Sequence, residues 1–349
     1  MNLSTLQLWA ILLGSTLAIV PTTPVVPSIL PQSTIEPALT EILAAQAIQR
    51  AISPVSSVGG EVFSRFVQIW LENMNTKEAT NDPNFQWLAT QGITLTNYWG
   101  VTHPSQPNYC AVVGGDTFGM DADKFVQIPA NISTVIPFQE DYVRKHNPLV
   151  MFDSVTSNAT RLSLIKSFKL FEEDLVNKTL PQWSFITPNM TNNGHDSNDT
   201  VAGNWSRTFL EPLLNNDYFT NDTLVVLTWD ENSENDKENK LFAILLGGAI
   251  PPAFKNTTDD TFYNHYSMLS TVQLNWGLPS LGRWIVVQIS LGLWPAKLDT
   301  ITMLSTPQKL LFNSSYPGPL STERFDPIWP LPDTKANCGS GQGVLKKDC

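Results

Sequence analysis

Apolar and polar positions along this chain fall into blocks whose period changes between strand-like and helix-like. Residues 65–71, Arg65-Phe66-Val67-Gln68-Ile69-Trp70-Leu71, are dense in apolar and β-branched side chains, as in a strand buried on both faces. The run stops at Glu72-Asn73-Met74-Asn75. Asn81-Asp82-Pro83 then supplies an N-cap and a first-turn proline, residues 85–89 a helix, and Gly92 its stop. Residues 93–99 predict a second strand, and strand, helix and strand on short links make a βαβ unit with parallel strands. The alternation recurs: strand at 149–152, amphipathic helix at 161–176, strand at 183–187, helix at 200–214, strands at 223–229 and 241–246, helix at 265–276. The expected fold is α/β, three layers with a mostly parallel central sheet between helices. There is no internal repeat.

The flanks read differently. Residues 1–20 carry no charged side chain and hold an apolar run over 6–20, the length of a signal-peptide core and short for a spanning helix. Residues 21–62 are rich in Pro, Ser and Thr and read as a linker or propeptide-like segment, with a short helix expected near 40–52. The folded domain is expected over 63–315, and the Pro-rich tail 316–349 is expected to wrap its surface. Past the leader, Asn-x-Ser/Thr sequons start at Asn131, Asn158, Asn177, Asn189, Asn198, Asn204, Asn221, Asn256 and Asn313. Leader and sequons together predict a secreted protein, extracellular or in the cell wall, carrying N-linked glycans.

Composition narrows the partners. The chain of 349 residues is 42% apolar and 15% charged with net charge −11, and it has no Lys/Arg-rich run. This is the composition of a folded globule and argues against nucleic acid or stable membrane insertion. Cys338 and Cys349 could close a small loop on an oxidising route, and Cys110 reads as a buried, inert thiol. Oligomeric state is not legible.

In open α/β sheets ligands bind beyond the carboxyl ends of the strands. Four polar clusters fall at such ends: Glu72-Asn73, His103 with Ser105 and Asn108, His195-Asp196, and Asp230-Glu231. His265 is a fifth element. His146, beside Arg144 and Lys145, reads as a surface residue. Pro104 and Pro107 brace Ser105 in a turn before a helix, which would aim free N–H groups and a positive dipole end at whatever sits beside it. Each cluster also has a bland reading: a helix cap at Ser105 or Glu72-Asn73, a solvated acidic turn at Asp230-Glu231, an ordinary turn at His195. Taken together, carboxylates, an amide oxygen and imidazoles suit a divalent cation. Such a cation beside a serine would lower the hydroxyl pKa and neutralise an incoming anion. The Gly-x-Ser-x-Gly elbow and Gly-rich dinucleotide turn are absent.

Thr102-His103-Pro104-Ser105-Gln106-Pro107-Asn108-Tyr109, Thr187-Pro188-Asn189-Met190 through Gly194-His195-Asp196, Thr228-Trp229-Asp230-Glu231-Asn232, and His265-Tyr266-Ser267 through Arg283 carry a resemblance. They resemble the secreted fungal acid phosphatases, which belong to the phosphoesterase family that also contains bacterial phospholipases C. The resemblance covers about residues 65–283, with a weaker echo at 312–319 and near Cys338. It implies an alkaline phosphatase-like core and hydrolysis of small-molecule phosphate monoesters. By that resemblance Ser105 is the nucleophile and Asn108 an amide donor to the phosphoryl oxygen. Glu72, Asn73, Asp230 and Glu231 hold the metal or organise phosphate. His195 and His265 bind metal or phosphate, with a histidine or an aspartic acid (Asp196 lies beside His195) as proton donor. His103 orients the loop or acts as general acid. The implied reaction passes through a phosphoserine that water then cleaves. Residues 133–140 are shorter than the family's connection and 285–294 do not continue its pattern; an incorrectly spliced gene model would explain both. A phospholipase C-like phosphodiesterase and an inactive secreted glycoprotein are the competing readings.

Overall fold

The computed structural model describes residues 51–53, 55–120, 123, 138–139, 142–234, 238–279, 281, 283–287 and 291. The leader, residues 21–50, the 316–349 tail with Cys338 and Cys349, and the sequons at Asn131 and Asn313 lie outside the described residues. So does most of 133–140 and 285–294.

Strand β1 (Arg65–Leu71) lies centrally because all but its first residue are buried. It pairs in parallel with β5 (Trp183–Ile186) on one side and with β6 (Thr223–Trp229) on the other. The sheet continues through β7 (Lys240–Leu246) and β2 (Ile93–Trp99) to the short β8 (Thr257–Asp259), with β9 (Tyr263–Asn264) also on β2. The β2–β8 and β2–β9 pairings are parallel, and only β7 runs against both neighbours. The sheet is therefore mixed but mostly parallel, and the carboxyl ends of β1, β2, β5, β6 and β9 point to one edge.

Helices cover both faces. On one, α2 (Pro83–Thr90) starts at Asp82, whose carboxylate accepts from the N–H groups of Asn84 and Phe85. It packs on α7 (Asp199–Leu214), and its Phe85 ring meets Trp229 of β6 at 5.0 Å. On the other, α3 (Ser105–Gly114) packs on α9 (His265–Trp276). There Trp70 of β1 lies 5.0 Å from the Tyr109 ring and 4.4 Å from the His265 ring. Trp229 pairs with Leu71 and Thr228 with Trp70, so successive residues of β1 face opposite helical layers, as a strand's two-residue period requires. Gly115 ends α3 in the left-handed region at φ 74°, where a side chain would be strained.

Two expected elements are replaced. Residues 149–152 are not a strand: Pro148–Met151 is a 3-10 turn, with Pro148 at its start and Asn147 Oδ1 accepting from Leu149 N. Proline lacks the donor a ladder needs and favours a helical start. The helix expected over 161–176 is split into Ala159–Leu162 and a helix over Phe168–Asn177. Ser163 lies in the break, and its hydroxyl, donating to Thr160 O, competes with helical backbone bonds; Ser167, in extended backbone, precedes the second piece. His146 is not on the surface either. It is 3% exposed, because Arg144 turns inward to Val150 O and lets the segment pack against α3. Cys110 is buried, and burial pushes its thiol up to about 12. Arg283 reaches Gly114 O, and Ile285 is buried at the end of α3.

Candidate active site

The strand ends bring Glu72, Ser105, Asp230 and Glu231 together. All four are buried, although three carry carboxylates. Ser105 is the first residue of α3, and its hydroxyl donates to Glu231 Oε1 at 3.0 Å, with Glu72 Oε2 at 3.5 Å. Glu231 Oε2 takes the Nδ1 of His103 at 2.6 Å, while the buried His103 Nε2 has no hydrogen-bond partner. Asn73 sits at φ 35°, a conformation asparagine tolerates better than most residues. With its amide nitrogen turned to the acids, it donates to Glu72 Oε2 at 3.1 Å and to Asp230 Oδ1 at 3.3 Å.

The turn that presents Ser105 is fixed by Asn108. Its Oδ1 accepts from the N–H of Val101 and of Thr102, each at 3.0 Å, and its Nδ2 donates to Thr102 O at 2.8 Å and Pro104 O at 3.4 Å. The amide is thus spent on the loop backbone. Asn239 ties the same loop to the acidic turn: it donates to Thr102 O and accepts from Asn232 N, both at 2.9 Å. A side chain at Gly100 would strike Asn239, so glycine is required there. One free N–H of the first turn of α3, that of Gln106, is not open to an anion in this arrangement, because it donates to Asp123 Oδ1 at 3.0 Å. Asp123 in turn pairs with Lys145 at 2.5 Å.

The histidines separate into distinct settings. His265 is fully buried, with Nε2 at 2.6 Å from the carbonyl oxygen of Asp230 and Nδ1 at 3.1 Å from the Tyr98 hydroxyl. A carbonyl only accepts, so Nε2 carries the proton and Nδ1 accepts from Tyr98. Burial pushes the imidazole down to about 3, and it holds Asp230 in place as a neutral ring. His195 stands at the rim, one-third exposed, with Nδ1 2.6 Å from Asp196 Oδ1. Its loop is anchored where Glu72 N donates to Asn193 O. Between rim and centre lies His146, missed by sequence reasoning: it stacks on Tyr109, and its Nδ1 is 3.4 Å from Glu72 Oε1. Tyr109, also missed, donates its hydroxyl to Glu72 Oε1. The nearest signal was that Tyr109 shares a helix with Ser105.

Two of the buried acids, Glu72 and Asp230, hold their protons in each other's field and beside Glu231. Glu72 is raised to about 8, first by burial and then by the Glu231 charge, against the Tyr109 hydrogen bond and the Lys145 charge that oppose the shift. Asp230 is pushed well above the carboxylate range by burial and by Glu72 and Glu231. Its Oδ2 is buried with no hydrogen-bond partner. An acid set with an orphaned oxygen is a donor set that a hard divalent cation fits, since it would replace the protons that neutralise the cluster. Among the described residues, however, no three of His, Cys, Asp or Glu already converge as a cage.

Three comparisons bear on this arrangement. The sequence model of the phosphoesterase family matches residues 117–279, beginning beyond Ser105. The acid phosphatase of Aspergillus fumigatus is 50% identical over 344 residues, covering 89% of this chain and 77% of that protein. The phosphate-repressible acid phosphatase of Penicillium chrysogenum is 48% identical over 339 residues, covering 89% and 82%. Among solved structures, a Vibrio parahaemolyticus protein in the alkaline phosphatase superfamily aligns with a TM-score of 0.42 at 13% identity, over 68% of this chain and 74% of that one.

Proposed function

The chain belongs to the phosphoesterase family together with the fungal acid phosphatases, and we propose that it hydrolyses phosphate monoesters to alcohol and inorganic phosphate with Ser105 as nucleophile. The observation that carries this reading is the Ser105 hydroxyl at 3.0 Å from a buried carboxylate, Glu231.

In the reaction the Ser105 oxygen attacks phosphorus in line while Glu231 takes its proton. His103, on the other oxygen of Glu231, holds that carboxylate in orientation. Attack forms the Ser105 oxygen–phosphorus bond and breaks the bond to the ester oxygen, which leaves with a proton. His195, partly open to solvent and held by Asp196, is the residue we assign to donate that proton. Water then attacks phosphorus and gives a proton to His195, while the bond to the Ser105 oxygen breaks and Glu231 returns its proton to that oxygen. Glu72, Asn73, Asp230 and Glu231 would hold a divalent cation, whose charge would neutralise phosphate oxygens and lower the pKa of a bound hydroxyl. The chain's part is to keep those oxygens dry and close to Ser105. Asn108 shapes the turn, and its amide meets a phosphoryl oxygen only by giving up its bonds to the Thr102 and Pro104 carbonyls.

Export belongs to the same reading. The seven sequon asparagines among the described residues, Asn158, Asn177, Asn189, Asn198, Asn204, Asn221 and Asn256, are all exposed, which supports glycosylation. Among the described residues no helix is long and apolar enough to cross a membrane.

The test is phosphate release from an aryl phosphate, with acid-quenched enzyme digested and its Ser105 peptide weighed. Wild type should turn over and carry a phosphate on Ser105; Ser105→Ala should lose at least about a thousandfold in kcat. Near-normal activity in Ser105→Ala would sink the assignment.

A further inference from the structure

A cavity of about 400 Å³ opens along the outer face of β5, between that edge strand, the helix over Phe168–Asn177 and the 3-10 turn over Pro148–Met151. This is within the roughly 300–1,000 Å³ of small-molecule sites. Leu149, Leu164, Phe168, Phe171, Trp183 and Phe185 give it an apolar wall. Its two charged lining residues are spent on each other: Lys166 Nζ pairs with Asp174 Oδ2 at 2.6 Å, and Ser53 bonds to both.

The cavity is joined to the reacting centre through one side chain. His146 lines it, is 3% exposed, and has no hydrogen-bond partner on either ring nitrogen. The same ring lies 3.4 Å from Glu72 Oε1, and the other oxygen of Glu72 lies 3.5 Å from Ser105 Oγ. Only Glu72 and the His146 ring stand between Ser105 and this chamber, so an alcohol portion that passes His146 from a phosphorus held at Ser105 meets apolar walls.

We propose that this cavity receives the alcohol portion of the substrate, so that the preferred esters are monophosphates of apolar alcohols, aryl or medium-chain alkyl. The proposal rests on Ser105 being the phosphoryl acceptor. Sugar hydroxyls against Leu164 and Phe168 would be buried without partners, which costs free energy for each group. A second phosphate would find no uncommitted cation among the lining residues, because Lys166 is neutralised by Asp174. An apolar chain loses nothing there and gains from leaving water.

The experiment measures kcat/KM for the whole chain on n-alkyl phosphates from methyl to decyl, with glycerol phosphate as the polar reference. In parallel, calorimetry follows binding of the matching n-alkyl phosphonates, which have no ester bond to cleave. Each methylene that enters the cavity should raise kcat/KM about fourfold until the cavity is full. Leu164→Asp should lower the decyl-to-glycerol ratio at least about tenfold. Leu149→Trp, which fills the chamber, should shorten the chain length at which the rise stops, and it serves as the second variant if Leu164→Asp does not fold. Turnover that is flat along the series, or a ratio unmoved in the folded variants, overturns the cavity assignment and leaves Ser105 chemistry standing. If no ester is cleaved, yet decyl phosphonate binds more tightly than methyl phosphonate and Leu164→Asp removes the difference, the cavity stands and the hydrolytic reading falls.

Discussion

The Ser105 hydroxyl and the Glu231 carboxylate meet at 3.0 Å across 126 positions of chain, joining the first residue of α3 to the end of β6. Both groups are buried, so neither can exchange the other for water at no cost. Glu231→Gln keeps the shape and a hydrogen-bonding oxygen but removes the proton acceptor. The expected result is a loss of about 10² to 10⁴ in kcat with KM little changed. Stopped-assay kinetics with circular dichroism checks it; a Gln variant within a few-fold of wild type would remove Glu231 from the role of base.

Glu72 sets a pH dependence of stability whose sign is fixed by its surroundings. Its folded-state pKa of about 8 lies above the ordinary value of 4.5, so the folded protein binds this proton more tightly than the unfolded chain does. The stabilisation is fully present below about pH 4.5 and is lost as pH rises through about 8. Asp230, shifted in the same direction, adds to it. With chelator present, the unfolding free energy should fall from pH 4.5 to pH 8 at a limiting slope of about 1.4 kcal/mol per pH unit for one proton, and the melting temperature with it. Glu72→Gln should flatten the curve; an equally steep decline in that variant would place the titrating group elsewhere.

Much of this arrangement was legible in the chain because local pattern carries it. Arg65–Leu71, Ile93–Trp99, Thr223–Trp229 and His265–Trp276 occupy the expected spans, since unbroken apolar runs and capping residues mark their ends. Parallel strands finish at one edge, so four strand-end clusters could be placed together before any contact was known. What local pattern does not encode is direction and depth. Leu241 to Leu246 reads as a strand whichever way it runs, and the short link from Glu231 to Lys240 brings it back antiparallel to β6. His146 follows Arg144 and Lys145, which suggests a solvated basic face; Arg144 instead binds Val150 O, and His146 is packed against Tyr109. Asn239 gave no signal, because its partners Thr102 and Asn232 are brought to it by the sheet.

A divalent cation should act on the acid cluster in competition with protons. At pH 4.5 Glu72 holds its proton and gives the cation little purchase, whereas at pH 8 the proton leaves readily and the vacated charge favours the metal. Millimolar magnesium or zinc, followed by thermal melts, should raise the melting temperature more at pH 8 than at pH 4.5, and a chelator should reverse it. The difference should shrink in Asp230→Asn, which loses the buried Oδ2. Equal shifts at both pH values, or full response in that variant, would place the metal away from this cluster.

Asn108 separates two roles that stability measurements can tell apart. Its four polar contacts run to Val101, Thr102 and Pro104, all in the loop that presents Ser105. Asn108→Ala leaves the N–H groups of Val101 and Thr102 without their acceptor and frees the loop. The expected cost is about 1 to 3 kcal/mol per buried orphaned group, seen as a clear drop in melting temperature without substrate present. A side chain that served only as a donor to the phosphoryl oxygen would leave the melting temperature of the free enzyme unchanged while lowering kcat. Both quantities falling together is the result expected of a brace that holds the nucleophile, and an unaltered melting temperature would return Asn108 to the phosphate.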